Sequence, residues 1–313
     1  MESVLLRGTD LEVSRLGLGG CPLGGHGWGQ THRNELMAAV DAALDAGVNF
    51  LDTADVYGLG QSEMLLGEVL RGRRDRVVIA TKCGVRVENG RTFYDNSPQW
   101  IRQACEGSLR RLNTDRIDLY QLHYRDGTPL ESVLETFEIL REQGKIRYFG
   151  LSNLKETDLP ELAAHRGKFA AVQNAYSLAD REGEATFREI CGALDATALT
   201  WGSLGQGILT GKYGPDSRFG ADDRRSRETY RNFRGEKFRK NLQIVEAMKP
   251  IAENHGVSVA AVAVRFILDR LPGSVALCGI KRKEQLLTDA LGWHLSGEEM
   301  DALDRVSRQE EQK

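Results

Sequence analysis

One feature constrains this chain above all others: short apolar, β-forming runs alternate with stretches of helical period, eight times over and without a break. The runs are RLGLGG (15–20), VNFLD (48–52), RVVIATK (76–82), RIDLYQLH (116–123), KIRYFGLSN (145–153), AAVQNAY (170–176), TALTWGSL (197–204) and SVALCGI (274–280). RVVIATK is apolar almost throughout, as expected of a parallel strand buried on both faces. Between the runs, LMAAVDAAL (36–44) sets Leu36, Ala39/Val40 and Ala43/Leu44 on one helical face. SPQWIRQACEGSLRRL (97–112) opens with a Ser cap and a Pro in its first turn. LESVLETFEILREQG (130–144) ends on a glycine stop.

Repeated βα units of this number build either a doubly wound open sheet or a closed (α/β)8 TIM barrel. No Gly/Ser/Pro linker divides the chain, so residues 1–313 are expected to form one domain. The N-terminal VLLRGTDLEVS predicts a small β-hairpin turning at Gly8-Thr9-Asp10. Two insertions, VRVENGRTFYDN (85–96) and the polar YGPDSRFGADDRRSRETYRNFRGE (213–236), are expected as extra loops.

Composition narrows the function. A formal net charge of −3 with no long basic run gives no footprint for nucleic acid or an anionic membrane surface. No stretch reaches the roughly 20 apolar residues of a membrane span, and the acidic start MESVLLRGTDLEVS does not read as a signal peptide. Cys21, Cys83, Cys105, Cys191 and Cys278 are scattered with no CxxC, which predicts reduced thiols and a cytoplasmic setting. Six histidines without HxH or HExxH spacing predict no metal site. Oligomeric state is not legible.

In a barrel, the active site lies where strands run out into βα loops. Here the second run ends at Asp52 with Tyr57 in the following loop, the third at Lys82 and the fourth at His123. Adjacent strands stand about 4.8 Å apart, so a carboxylate, an ammonium, an imidazole and a phenol would converge on one arc. Singly, each has a plainer reading: Asp52 ordering loop amides, Lys82 snorkelling to water, His123 structural, Tyr57 packing. Four such groups on consecutive strand ends favour chemistry. Asp55 is expected to be a loop-ordering or surface carboxylate.

FLDTADVYGLGQSE (50–63), IATKCG (79–84), SLRRLNTDRIDLYQLH (108–123), GKIRYFGLSN (144–153), VQNAYSL (172–178) and LGQGILTGKY (204–213) together resemble the aldo-keto reductase superfamily, in order and from about residue 3 to 305. The resemblance implies an (α/β)8 barrel that reduces aldehydes and ketones with NADPH or NADH. Asp52, Tyr57, Lys82 and His123 match its four catalytic positions. Asp52 also lies against the cofactor, with Gly20 and Cys21 nearby. Ser152, Asn153 and Gln173 would grip the carboxamide, and Trp201 would stack on the nicotinamide. Gly202, Ser203, Leu204, Gln206, Gly207 and Lys212 would line the pyrophosphate. CGIKRKEQLLTDAL (278–291) matches the segment around the adenosine and its 2′-phosphate, through Gly279, Ile280, Lys281, Gln285 and Asp289; with Lys281 and Arg282 there, NADPH is favoured over NADH. The chain departs from the common pattern at Gly202-Ser203 (Ser-Pro), Cys278 (Pro) and Asp289 (Asn). No GxGxxG occurs: GLGGCPLGG (17–25) fails at Pro22. Some members of the superfamily are redox-sensing binding subunits, the alternative to an enzyme.

Carbonyl reduction needs hydride at carbon and a proton at oxygen, where charge builds. A tyrosine with an ordinary pKa of about 10 is a reluctant donor; an adjacent ammonium would pull that value down. Lys82, held by Asp52, is expected to do so for Tyr57, with His123 orienting the carbonyl oxygen. Substrate identity would rest on the loops 85–98, 124–129 and 213–236. There Trp28, Phe93 and Tyr124 could form an apolar wall or be ordinary loop packing. The 213–236 stretch could fold over a bound cofactor or remain a surface loop.

Overall fold

The computed structural model of this chain describes residues 1–308; the expected domain's last five positions, 309–313, lie outside the described residues. Eight strands close a barrel in sequence order: β1 (Leu16–Gly19), β2 (Phe50–Asp52), β3 (Val78–Cys83), β4 (Ile117–Leu122), β5 (Ile146–Ser152), β6 (Ala171–Ala175), β7 (Thr197–Trp201) and β8 (Val275–Cys278). Every neighbouring pair is parallel, and β8 returns to β1 to close the ring. Seven of the eight predicted runs contain their strand and the third strand outruns RVVIATK by one residue, Cys83; of the two topologies the sequence left open the barrel is realised.

The intervening helices pack outside, because each has one apolar face to bury against the strands. Pro98–Leu112 begins as expected, with Ser97 Oγ accepting from Trp100 N at 3.3 Å. Leu36, Val40, Leu66, Ile101, Phe137 and Ile267 are among the buried residues of this outer layer. A second cluster fills the barrel itself: Phe50, Val78, Ala80, Leu119, Ala171, Leu199 and Val275, stoppered from below by Leu6, Leu11 and Val13. Those last three belong to the N-terminal hairpin, whose strands Ser3–Leu5 and Glu12–Ser14 pair antiparallel across a turn containing Gly8. Arg7 N donates to Thr197 Oγ1 at 2.9 Å and ties the plug to the base of β7.

Residues 85–96, expected as a loop insertion, form a second hairpin: Val85–Glu88 pairs with Arg91–Tyr94. Its turn is Asn89-Gly90, both with positive φ (50° and 75°), the two-residue turn whose twist matches that of paired strands. Residues 213–236 carry two short 3-10 turns, Arg224–Ser226 and Arg231–Phe233, ahead of the helix Gly235–His255. Among the described residues no single helix is long and apolar enough to cross a membrane; Gly235–His255 and Val259–Arg270 meet that test only together, bent by 93°.

Candidate active site

Strand parity builds the floor of the site. Side chains two apart on a strand face the same way, so the apolar inner layer of Phe50, Ala80, Leu119 and Ala171 is followed, one inward position later, by Asp52, Lys82, Gln121 and Gln173. All four of these polar residues are buried. Lys82 Nζ donates to Asp52 Oδ1 at 2.5 Å and to Thr53 O at 2.9 Å. The other Asp52 oxygen accepts from Gln121 Nε2 at 3.1 Å and Gln173 Nε2 at 2.8 Å. A buried ion pair is tolerated only when its remaining hydrogen-bonding capacity is filled, and here both carboxylate oxygens are engaged.

His123 lies just past β4, its N–H donating to Cys83 O at 2.9 Å. The loop before helix Gln61–Val69 delivers Tyr57. At Gly58 (φ 60°) that loop presses on Gly24, and a Cβ there would run into the Gly24 backbone, so the approach requires glycine. The Tyr57 and His123 rings meet edge to face with centroids 5.9 Å apart, and Lys82 Nζ stands 5.2 Å from the Tyr57 ring centre. The four predicted catalytic side chains are therefore brought together.

The electrostatics differ from expectation in one respect. Burial, reinforced by Cys21 and Asp52, pushes the Tyr57 hydroxyl well above the usual tyrosine value. The expected lowering by Lys82 does not emerge, because the ammonium is directed at Asp52 Oδ1 and Thr53 O rather than at the phenol. Burial, and secondarily the Lys82 charge, holds His123 well below the ordinary histidine value, so its ring is neutral. Its Nδ1 is buried without a partner.

Asp55 is not the surface carboxylate expected. It is partly buried, its Oδ1 is buried without a partner, and burial together with Glu63 raises its pKa to about 8. Glu63, fully enclosed, is itself committed to Thr81 Oγ1 and Arg111 Nε at 2.6 Å each.

Around the rim, most residues expected to hold a dinucleotide are already organised. Trp201 Nε1 donates to Asn153 Oδ1 at 3.0 Å, fixing the indole. Asn153, at φ 57°, donates through Nδ2 to His123 O and Ser152 Oγ, while Ser152 Oγ donates to Gln173 O at 2.8 Å. Gly202, Gly205, Gln206 and Gly207 all have positive φ, a backbone run of the kind that cups anions. Lys281 has its pKa lowered by burial and by the nearby cations Arg225, Arg282 and Lys212, with only Asp223 opposing. A cluster so charged is suited to phosphate. Lys281 Nζ donates to Trp28 O, and its backbone N–H to Gln285 Oε1 at 2.8 Å. Gly20 N donates to Asp52 O at 2.6 Å, placing Cys21 beside the floor, and Gly279 packs against Pro22 where a Cβ would not fit. Leu204 is half-buried and Ile280 buried.

Three of the residues expected at the cofactor also make structural bonds. Ser203 is buried and donates to Thr200 O; Gln206 Oε1 accepts from Asn232 Nδ2 at 2.7 Å; Asp289 Oδ2 accepts from Ser258 N at 2.9 Å, just before helix Val259–Arg270. A carboxylate at a helix N-terminus is well placed, which accounts for Asp at that position.

Tyr124 stacks on His123 (4.9 Å between centroids), and Tyr94 stacks on Tyr124 (4.9 Å). Trp28 packs edge-on against Tyr230 from the 213–236 stretch. Phe93 is not brought to this wall: it lies against the Arg86 guanidinium on the other face of the hairpin, and its neighbour Tyr94 takes the place. Sequence reasoning missed Tyr94, Tyr230, Gln121 and Arg224. The Asn-Gly turn and the spacing of Gln121 two before His123 were the available signals for two of them.

Among the described residues no group of three or more His, Cys, Asp or Glu side chains is placed to hold a metal.

The aldo/keto reductase family model matches residues 15–308 of this chain. The chain is 35% identical to the aldo-keto reductase YhdN of Bacillus subtilis (strain 168), over 98% of this chain and 93% of that protein. Its fold is similar to that of glycerol dehydrogenase AKR11B4 from Gluconobacter oxydans, with TM-score 0.87 and 34% identity over 97% and 94% of the two chains. It is also similar to an aldo/keto reductase from Klebsiella pneumoniae solved with NADP and acetate, with TM-score 0.74 and 28% identity over 100% and 98%.

Proposed function

Because this chain belongs to the aldo/keto reductase family and is an NAD(P)H-dependent oxidoreductase, we propose that it reduces aldehydes and ketones to alcohols, with NADPH as donor and Tyr57 as the proton source. One observation carries the reading: the buried Lys82–Asp52 pair beneath the Tyr57 ring, with a neutral His123 edge-on to it. Ser152, Asn153 and Gln173 would hold the carboxamide, with Trp201 against the nicotinamide. The segment 202–207, left-handed at Gly202, Gly205, Gln206 and Gly207, would take the pyrophosphate with Leu204 and Lys212. The cations around Lys281 favour NADPH over NADH, and the Klebsiella relative holds NADP. When bound, the dinucleotide supplies the hydride.

The chain's own residues handle the proton. Tyr57 stays a phenol at working pH because its pKa is raised. That does not disable it: the oxygen it protonates is becoming an alkoxide, whose basicity approaches that of hydroxide, with water's pKa near 15.7. Transfer is downhill late in the reaction, and the tyrosinate left behind has the Lys82 ammonium 5.2 Å from its ring centre. A neutral His123 donates a hydrogen bond to the same oxygen without competing for the proton. The aromatic residues Trp28, Tyr94, Tyr124 and Tyr230 form a wall that excludes water.

The test is absorbance at 340 nm with NADPH and a panel of aliphatic and aromatic aldehydes, followed by KM for NADPH against NADH. Turnover with a lower KM for NADPH is expected. Tight NADPH binding with no oxidation by any carbonyl would overturn the reading in favour of a redox-sensing subunit.

A further inference from the structure

Two adjacent arginines at the barrel mouth are treated in opposite ways. Asp223 caps the turn Arg224–Ser226 and directs both oxygens to Arg225: Oδ1 accepts from its backbone N and Nε at 2.9 Å each, Oδ2 from Nη2 at 2.6 Å. Arg225 Nη1 adds a bond to the Tyr213 hydroxyl, and its guanidinium lies on the Phe219 ring. Arg225 is saturated. Arg224, one residue earlier, makes no ion pair among the described residues, and its Nε is buried with no hydrogen-bond partner.

The fold positions Arg224 deliberately. Its backbone N–H donates to Gly27 O at 2.9 Å, and its side chain lies flat on Gly27 (φ 78°), where a Cβ would collide with Arg224 Cγ and Nε. Trp28 follows, packed against Tyr230. From there the Arg224 charge acts on both Tyr57 and Cys21, so it lies within electrostatic reach of the reacting centre. The carboxylate beneath is not available to it, since both Asp52 oxygens are occupied. The largest charges acting on Lys281, in the cation cluster suited to the dinucleotide phosphates, are those of Arg225, Asp223, Arg282 and Lys212 rather than Arg224. A partly buried guanidinium without a counter-ion bears an uncompensated desolvation cost. Its planar fork is matched by one chemistry above others, a carboxylate or phosphate accepting two parallel hydrogen bonds.

Resting on the carbonyl-reductase reading above, we infer that Arg224 recognises an anionic group on the substrate, so that the preferred substrates are aldehydes or ketones carrying a carboxylate or phosphate near the carbonyl. The reacting carbonyl lies between Tyr57 and His123, the body of the substrate against Trp28, Tyr124 and Tyr230, and the anion on Arg224.

The experiment compares kcat/KM for 2-, 3- and 4-carboxybenzaldehyde with that for each methyl ester, and glyceraldehyde 3-phosphate with glyceraldehyde. It uses wild type, Arg224→Gln and Arg224→Lys, with the NADPH Kd of each measured by fluorescence. Wild type is expected to prefer at least one anionic partner about tenfold or more, the scale of one charged hydrogen bond. Arg224→Gln should erase that ratio, Arg224→Lys should keep part of it, and the NADPH Kd should move less than about twofold. The two arms identify the anion as carboxylate or phosphate. No anionic preference in wild type, or a preference that survives Arg224→Gln, overturns the inference. A lost ratio accompanied by a tenfold weaker NADPH Kd also overturns it, by assigning Arg224 to the cofactor. A wild type that reduces neither charged nor neutral carbonyls overturns the reductase reading itself.

Discussion

Lys82 Nζ lies 2.5 Å from Asp52 Oδ1, and both side chains are sealed inside the barrel, at 1% and 4% exposure. Among the described residues neither group makes another ion pair; glutamine amides and a backbone carbonyl complete the shell. Removing one partner of such a pair costs about 3–5 kcal/mol, because the other is left buried and uncompensated. Lys82→Met should therefore lose that stability in urea unfolding, and the double variant Asp52→Asn/Lys82→Met should recover most of it while remaining inactive. A double variant no more stable than Lys82→Met would show that the pair is not the unit argued for.

Tyr57→Phe removes the proton donor and leaves the ring packing against His123 and Lys82 in place. kcat for aldehyde reduction should fall by about 100–10,000-fold, the usual worth of general acid catalysis, with NADPH Kd changed less than about twofold. In wild type the raised Tyr57 pKa sets the sign of the pH dependence. Reduction needs the phenol and should show no loss from Tyr57 up to pH 9. Alcohol oxidation needs phenolate and should still be rising at pH 10. An oxidation profile already flat at pH 8 would contradict a tyrosine whose burial outweighs the nearby Arg224 charge.

The eight strands were legible because each is a contiguous apolar run, and a parallel strand buried on both faces leaves that signature whatever it packs against. Asp52, Lys82 and His123 were legible because strand ends in a barrel share one rim. What stayed hidden depends on closure. Gln121 and Gln173 are 52 positions apart; they meet on the shared carboxylate of β2 and through a direct bond from Gln173 Nε2 to Gln121 Oε1 at 3.2 Å. Phe93 and Tyr94 are equivalent by residue type, and only the hairpin register sends one to Arg86 and the other to Tyr124. Arg224 looked like one of many charges in a polar stretch; its difference from Arg225 exists only once Asp223 has chosen between them.

Asp55 bears on stability in the direction opposite to most carboxylates. Its pKa rises from about 3.9 in the unfolded chain to about 8 in the fold. Between those values the folded state holds a proton that the unfolded state has released, so stability from this group falls as pH rises from about 4 to 8 and levels off above. Asp55→Asn mimics the protonated form. It should raise the unfolding free energy from urea titration at pH 9, by on the order of 1–2 kcal/mol once solvent screening is discounted, and much less at pH 5. Equal effects at both pH values would show that the carboxylate is not protonated in the fold.

Glu184 supplies the reverse case and ties the C-terminal helix to the barrel. Oε2 accepts from Arg181 Nε (2.9 Å), the Tyr176 hydroxyl (3.0 Å) and Arg308 Nη2 (3.1 Å), while Oε1 accepts from Arg270 Nε (2.7 Å) and Arg188 Nε (3.2 Å). Three helices, Glu184–Leu194, Val259–Arg270 and Gly297–Arg308, thus converge on one buried carboxylate at 3% exposure. Burial alone would raise its pKa, but the arginines, Arg181 first, prevail and hold it at about 2. The depressed value means the contribution is fully present above the unfolded pKa of about 4.3 and is lost as pH falls toward 2. Glu184→Gln should cost about 2–3 kcal/mol at pH 7, since Arg181 is then buried beside a neutral amide while still paired with Asp304 at 2.7 Å. The gap between wild type and variant should narrow steadily from pH 4.5 to pH 2. A gap independent of pH would assign the loss to packing, because only the ionised carboxylate can be titrated away.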